Sequence, residues 1–434
     1  MQMTGRTTSF LSTSLYIYII LCGFQNVIHL PVLNEKLQLS ELWFIVILSY
    51  LGFHWKTFKP VFTELILNKY LLIYGLLILL YLSTILISCC IHFSVDGMLD
   101  FIGKVYLVSL QFIFILGFFV YRNSKAQLSI IPAFIHLGMI LSLIGLLGWL
   151  LSILGIENRT TEIFFEYPYF GNTHRLRAFC PTPSYYISIV SISIACALFE
   201  FLFKSKNKTV GYQALFMSLV ALLCFSKSYL FIFLICLLFV LFKLKASFKL
   251  LGAFCLLILI VQLATTHFIF IPVSQMDRTN ILKGPFASGE LIYKSSDYVI
   301  AASSYYQLKK SAWKLFKEFP YWGIGPANFN QQINLLKEKG YFPDHVPSYD
   351  PHATLLGSLA ETGLFGFFSL FILGIFYLYA FTGDKNIIDA QVFLLLTLLF
   401  VFFAEGLSMD VLNFRHYWIV GSMIIWQRAA NSTN

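Results

Sequence analysis

Asp350-Pro351-His352-Ala353 stands where a long polar stretch meets a membrane-length apolar run, TLLGSLAETGLFGFFSLFILGIF. The pattern predicts a helix capped by Asp350 and opened by Pro351, with His352 in its first turn. The positive end of that helix's dipole disfavours an imidazolium, leaving a neutral imidazole able to accept a proton. The plainer alternative is a histidine hydrogen-bonded at a membrane interface. Arg175 and Arg177 lie shortly before the helix expected to start near Pro183. Guanidinium groups beside free helix amides suit phosphate; the alternative for them is attraction to anionic lipid headgroups. Arg278 is a further candidate, with Lys309, Lys310 and Lys314 following on a basic helix.

Glu361 lies nine positions after His352. On a helix that is about 13 Å deeper and on roughly the opposite face, so the two are poor partners. A carboxylate at that depth needs neutralising or pairing. Arg415 is one expected partner, with Glu405 and Asp410 competing for it, and the group reads as structural. Gly357, Gly363 and Gly366 allow close helix approach.

The elements that position these residues follow from composition. The chain has 434 residues, 58% hydrophobic and 12% charged, with mean hydropathy +0.76. A soluble domain carries about twice that charged fraction. Apolar runs at 10–30, 39–54, 69–92, 101–121, 127–153, 183–203, 210–225, 228–243, 248–271, 353–380, 387–404 and 411–429 suit bilayer crossing. The expectation is an all-α polytopic membrane protein of about 12 transmembrane helices, because lipid leaves no partner for open sheet edges. The charge at Lys227 favours two short helices over one through 210–243.

With the N-terminus inside, inner segments collect 14 basic residues and the short outer ones six. The positive-inside rule then puts both termini in the cytoplasm and 155–182 and 272–352 outside. Residues 1–434 thus read as a single membrane domain with two outer insertions. The larger one has helical signals in SYYQLKKSAWKLFKEF, where Leu308, Ala312, Leu315, Phe316 and Phe319 form an apolar stripe, and over 327–339. Insertions this long are usually functional. The net charge of +9 is mostly topology, and nothing else supports a nucleic-acid partner. Membrane lipids are the expected surroundings.

The eight cysteines show no CxxC and no metal-ligand spacing, which predicts buried small hydrophobes. A meeting of Cys180 with Cys89 or Cys90 stays open. Phosphate-cradling glycine loops, GxSxG, HExxH and DxD pairs are missing, so no cofactor and no metal site is expected.

Several segments resemble, in order, the O-antigen ligase/polymerase family of bacterial envelope glycosyltransferases. They are RLRAFCPTPSYYISIV, LCFSKSYLFIFLICLLF, WKLFKEFPYWGIGPANF, DPHATLLGSLAETGLFGFF and NFRHYWIVGSM, spanning about residues 170–430. The resemblance implies a helical fold similar to GT-C-type membrane glycosyltransferases, with a large helical periplasmic loop, in the bacterial inner membrane. It implies a metal-independent transfer or polymerisation of undecaprenyl-pyrophosphate-linked glycan in O-antigen or other surface-polysaccharide synthesis. The acceptor is a second glycan for a polymerase, lipid A–core for a ligase, or a Ser or Thr side chain for a protein-glycosylating relative. A polymerase, with a chain-length regulator as partner, is favoured because no extra soluble domain for a protein acceptor is seen. His352 falls on the family's loop-end histidine, and Arg175 or Arg177 on an arginine implicated in holding pyrophosphate. Ala353 replaces the usual asparagine, while Lys227 and Lys309 stand where arginines are common, losing the bidentate fork. Arg278 is then a source of a second guanidinium. The reading from another class is a transporter or flippase of a lipid-linked sugar or small solute, against which the long insertion and the absence of repeats count.

Overall fold

The computed structural model describes residues 5–25, 27, 38–122, 129–167, 171–276, 287–381 and 389–431. The first half runs α1 (Gly5–Leu21), α2 (Leu39–Phe53), α3 (Trp55–Leu67), α4 (Lys69–Ile91), α5 (Val95–Arg122) and α6 (Ile130–Ile153). A hairpin of β1 (Thr161–Tyr167) and β2 (Gly171–Leu176) follows, then α7 (Pro183–Phe199), α8 (Lys208–Ala221), α9 (Tyr229–Lys243) and α10 (Phe248–His267). The large insertion holds β3 (Phe268–Pro272), α11 (Val273–Met276), β4 (Ala287–Lys294), β5 (Tyr298–Ser303), α12 (Ser304–Glu318) and α13 (Phe329–Glu338). The chain closes with α14 (Thr354–Tyr379), α15 (Ala390–Gly406) and α16 (Arg415–Asn431).

Among the described residues, six helices are long and apolar enough to cross a membrane: α4, α5, α6, α7 with its π-turn extension, α10 and α14. The protein is a mostly helical, multi-pass membrane protein. Side-chain caps mark several starts: Asn68 accepts from Leu71 N–H at 3.1 Å, Thr182 from Tyr185 N–H at 3.2 Å, and Asp389 from Val392 N–H at 2.7 Å. The 210–243 stretch is split as its charge demanded. Phe225, at φ +44°, turns the chain out of α8, and α9 restarts after Ser228.

Two features correct the all-α expectation. The first insertion is an antiparallel hairpin, and the second carries a three-stranded antiparallel sheet in the order β3-β5-β4. Both lie between membrane helices, where water can satisfy edges that lipid cannot. The amphipathic α3 was also not read from the sequence. In the larger insertion Leu308, Ala312 and Leu315 of α12 are buried as read, while Phe319 is 39% exposed. They join Ile333 and Leu336 of α13 and Ala360 of α14 in a second small core.

Gly363 does more than permit close approach. At φ +67° and ψ −163° it breaks α14, a conformation essentially confined to glycine. The 320–325 segment enters the break. Ile324 N–H donates to Ala360 O and Gly325 N–H to Glu361 O, each at 2.9 Å, and Leu364 N–H donates to Pro320 O at 2.8 Å. Ser88 of α4 seals the joint, its hydroxyl meeting Trp322 O at 2.6 Å and Glu361 O at 2.9 Å. A Cβ at Gly363 would lie 2.2 Å from Tyr321 O, whereas one at Gly357 meets nothing closer than 3.6 Å. Gly363→Ala is therefore expected to cost at least about 1–3 kcal/mol and lower the thermal midpoint in detergent, with Gly357→Ala close to neutral. Equal midpoints would contradict the interlock.

Candidate active site

His352 sits just outside α14, not in its first turn. The helix begins at Thr354, with Ala353 in the capping position. Two local bonds set this boundary. Asp350 Oδ1 accepts the His352 N–H at 2.7 Å and closes a turn that holds His352 at φ +46°. Thr354 Oγ1 donates to Met409 O at 3.0 Å and accepts from Val411 N–H at 3.1 Å, tying the helix start to the loop before α16. Asp350 and Pro351 therefore build a turn ahead of the helix.

The imidazole is 22% exposed, with its Nδ1 3.1 Å from Asp350 Oδ1. Tyr305 stands edge-on to it with centroids 4.7 Å apart, and Tyr349 closes another side at 5.7 Å. Burial lowers the pKa of His352; Asp350 opposes the shift, Lys309 reinforces it and Asp410 opposes it. The ring is neutral at pH 7 because of burial and not because of a helix dipole. A carboxylate at Nδ1 favours the tautomer with the proton there, leaving Nε2 as an acceptor.

Arg175 and Arg177 reach the same region from β2 and its exit. Arg175 lies opposite Glu162 in the hairpin register, with Nη1 3.3 Å from Oε1, and its Nε donates to Cys224 O at 3.0 Å. Arg177 Nη1 donates to Pro181 O at 3.1 Å, while its buried Nε has no hydrogen-bond partner among the described residues. Tyr305 joins the two groups: its hydroxyl feels the charges of Arg175, Asp350 and Glu162. Lys309 Nζ donates to Leu407 O at 2.7 Å and lies 3.2 Å from His267 Nε2. Lys227 bonds Thr265 O. Burial pushes both lysines down to about 8. His352, Arg175, Arg177 and Lys309 thus stand around one region, and Arg278 lies outside the described residues.

Sequence reading missed Glu162, Tyr305 and His267. His267 had a signal, since it ends an apolar helix as His352 precedes one. The expected partners of the intramembrane polar group are corrected. Arg415 Nε binds Glu41 of α2 at 2.6 Å and its Nη2 binds the same carboxylate oxygen. Glu405 accepts from Tyr417 Oη at 2.6 Å. Glu361 faces Asp100, Asp410 and Lys104. Lys104, counted in a short outer segment, lies buried in α5 with Nζ 2.6 Å from Asn413 Oδ1. Chain proximity favoured Glu405 and Asp410 for Arg415, but α16 turns that side chain toward α2. All eight cysteines are free thiols, Cys180 included.

Residues 212–371 match the sequence model of the O-antigen ligase family. This match, over little more than a third of the chain, supports an assignment to the O-antigen ligase/polymerase family. The O-antigen ligase segment carries Lys227, His267, Lys309, His352 and Glu361 and stops short of the arginine hairpin on one side and of Arg415 on the other. No curated protein matches the chain. The match supports ligase or glycosyltransferase-type activity, with a lipid-linked glycan and an acceptor as substrates in general terms. Glu41→Gln is expected to strand the buried Arg415 charge and lower stability by roughly 3–5 kcal/mol, read as a fall in thermal midpoint. An unchanged midpoint would show that the pair carries no load.

Proposed function

We propose that the protein is a metal-independent glycosyltransferase at the periplasmic face of the bacterial inner membrane, using undecaprenyl-pyrophosphate-linked oligosaccharide as donor. About twelve helices cross the bilayer in a GT-C-like arrangement, both termini are cytoplasmic, and residues 155–182 and 272–352 are the periplasmic insertions. Arg175, Arg177 and Lys309, with Lys227 behind and Arg278 available from the same insertion, hold the pyrophosphate. The observation that carries the reading is His352 itself: a neutral imidazole oriented by Asp350, with basic residues on one side and carboxylates on the other.

An apolar cavity of about 320 Å³ supports a lipid-linked donor. It lies between α14, α15 and α16, lined by Thr354, Phe371, Tyr377, Phe403 and Leu407. Leu407 is also the residue whose carbonyl holds Lys309, so a polyprenyl tail in this cavity brings its pyrophosphate to the basic cluster.

In the reaction an acceptor hydroxyl gives its proton to His352 Nε2 as its oxygen attacks the anomeric carbon. The bond from that carbon to the pyrophosphate oxygen breaks, and its electron pair leaves on undecaprenyl pyrophosphate, met by the guanidinium and ammonium groups. Attack from the face opposite the leaving group inverts the anomeric centre. A polymerase is favoured over a ligase, with a growing lipid-linked glycan as the other substrate and a chain-length regulator as partner.

Purified protein in detergent, given lipid-linked repeat and no gradient, is expected to extend the glycan and release undecaprenyl pyrophosphate. Activity confined to sealed vesicles would instead favour the transporter. His352→Ala is expected to lose about 10²–10⁴-fold in kcat, and a folded variant at full rate would contradict the assignment. The pH profile of kcat/KM tests the charges. The lowered His352 pKa keeps the base neutral through pH 7, so the acid limb lies below the ordinary imidazole range. Lys309 and Lys227 lose their protons as pH rises through about 8, so the alkaline limb falls there. Lys309→Arg with Lys227→Arg should remove that limb, and its persistence would assign it elsewhere.

A further inference from the structure

A second cavity lies on the other side of the His352 turn. It holds about 210 Å³, room for about seven waters and thus the scale of one hexose. Asp350, Pro351 and Ala353, the neighbours of His352, form one wall. Asp100 and Lys104 of α5, Glu361 and Ser358 of α14, and Asp410 and Asn413 of the loop before α16 supply further polar groups, and Tyr81, Ile85 and Phe329 are among the apolar ones. Thr354 and Leu412 line both this cavity and the apolar one, so the two are separated by a shared wall.

The two cavities differ in chemistry. One is lined by hydrocarbon and adjoins the basic cluster. The other presents hydroxyl, amide, ammonium and carboxyl groups, with the three aspartates Asp100, Asp350 and Asp410 against the ammonium of Lys104. Lys104 is itself occupied, 2.6 Å from Asn413 Oδ1 and 4.0 Å from carboxylate oxygens of both Asp100 and Asp410. Closely set acceptors with a few donors suit a polyhydroxylated ring, and the excess negative charge repels an anion.

We propose that this cavity seats the acceptor sugar, a neutral or amino-bearing pyranose whose reacting hydroxyl is turned toward His352, and that its acidic lining excludes uronic acids. The inference rests on the glycosyl-transfer reading and deepens it. The acceptor cavity abuts His352 through Asp350, whose Oδ1 lies 3.1 Å from the imidazole Nδ1. The reacting proton moves from the acceptor oxygen to His352 Nε2.

Saturation-transfer NMR on the full chain in detergent tests this with methyl glucoside, glucosamine and glucuronate as probes. Transfer to the first two is expected, and at least about tenfold weaker transfer to glucuronate. Gly357→Leu, which has room for a side chain beside Pro351 and points into the cavity wall, should abolish it. In the same samples undecaprenyl pyrophosphate should still raise the thermal midpoint of both proteins. Absent transfer to all three sugars, equal transfer to glucuronate, or transfer unchanged in a folded Gly357→Leu protein overturns the proposal. If undecaprenyl pyrophosphate still binds in that case, the donor reading stands alone; if neither ligand binds, both fail.

Discussion

Backbone hydrogen bonds between the 320–325 segment and the broken turn of α14 fasten the soluble insertion to the membrane helices. Gly363 opens the helix, and Gly323 and Gly325, at φ +67° and +92°, let the incoming strand approach without side chains. Peptide groups that a continuous helix would satisfy internally are satisfied by a separate segment of the chain instead. The consequence is geometric. Once this joint is set, α12 packs onto α14 and places Tyr305 and Lys309 beside the turn that carries His352. Lys309 also reaches the carbonyl that ends α15, so three segments far apart in the chain share one corner.

The electrostatic order of that corner follows. Cations gather where the hairpin, α10 and α12 meet: Arg175 from β2, paired there with Glu162, Arg177 just past β2, Lys227 between α8 and α9, and Lys309 from α12. Carboxylates gather where α5, α14 and the loop before α16 meet. His352 lies on the boundary, feeling Lys309 from one side and Asp350 and Asp410 from the other. Away from water such fields are weakly screened, so a charged group entering from the wrong side meets several kcal/mol of repulsion. A site ordered this way suits a reaction in which one partner leaves as an anion and the other arrives as a neutral alcohol.

Much of the framework was legible in the chain, because lipid restricts the choices. Apolar run length located the six helices long and apolar enough to cross a membrane, the charge of Lys227 marked the split between α8 and α9, and the apolar stripe through Leu308, Ala312 and Leu315 located α12. The strands were not legible. Segments such as Thr161–Tyr167 and Tyr298–Ser303 are short, and their pairing depends on partners elsewhere. The start of α14 was misplaced because Asp350 and Pro351 suit both a helix start and a turn, and Thr354's bonds to the 409–411 loop decided between them. Polar pairing inside the bundle was the least legible. Glu41 meets Arg415 across 374 positions, while the sequence offered Glu405 and Asp410 as nearer candidates. The convergence of Arg175, Tyr305 and His352 is non-local in the same way, although each arginine and the histidine stood out by type and position.

The most direct test of the account is a cryo-EM structure with an undecaprenyl-pyrophosphate-linked sugar bound to the His352→Ala protein. The account predicts the diphosphate among Arg175, Arg177 and Lys309, the tail along α14, α15 and α16, and the first anomeric carbon facing position 352. A diphosphate bound away from those three side chains, or a sugar turned away from position 352, would contradict it.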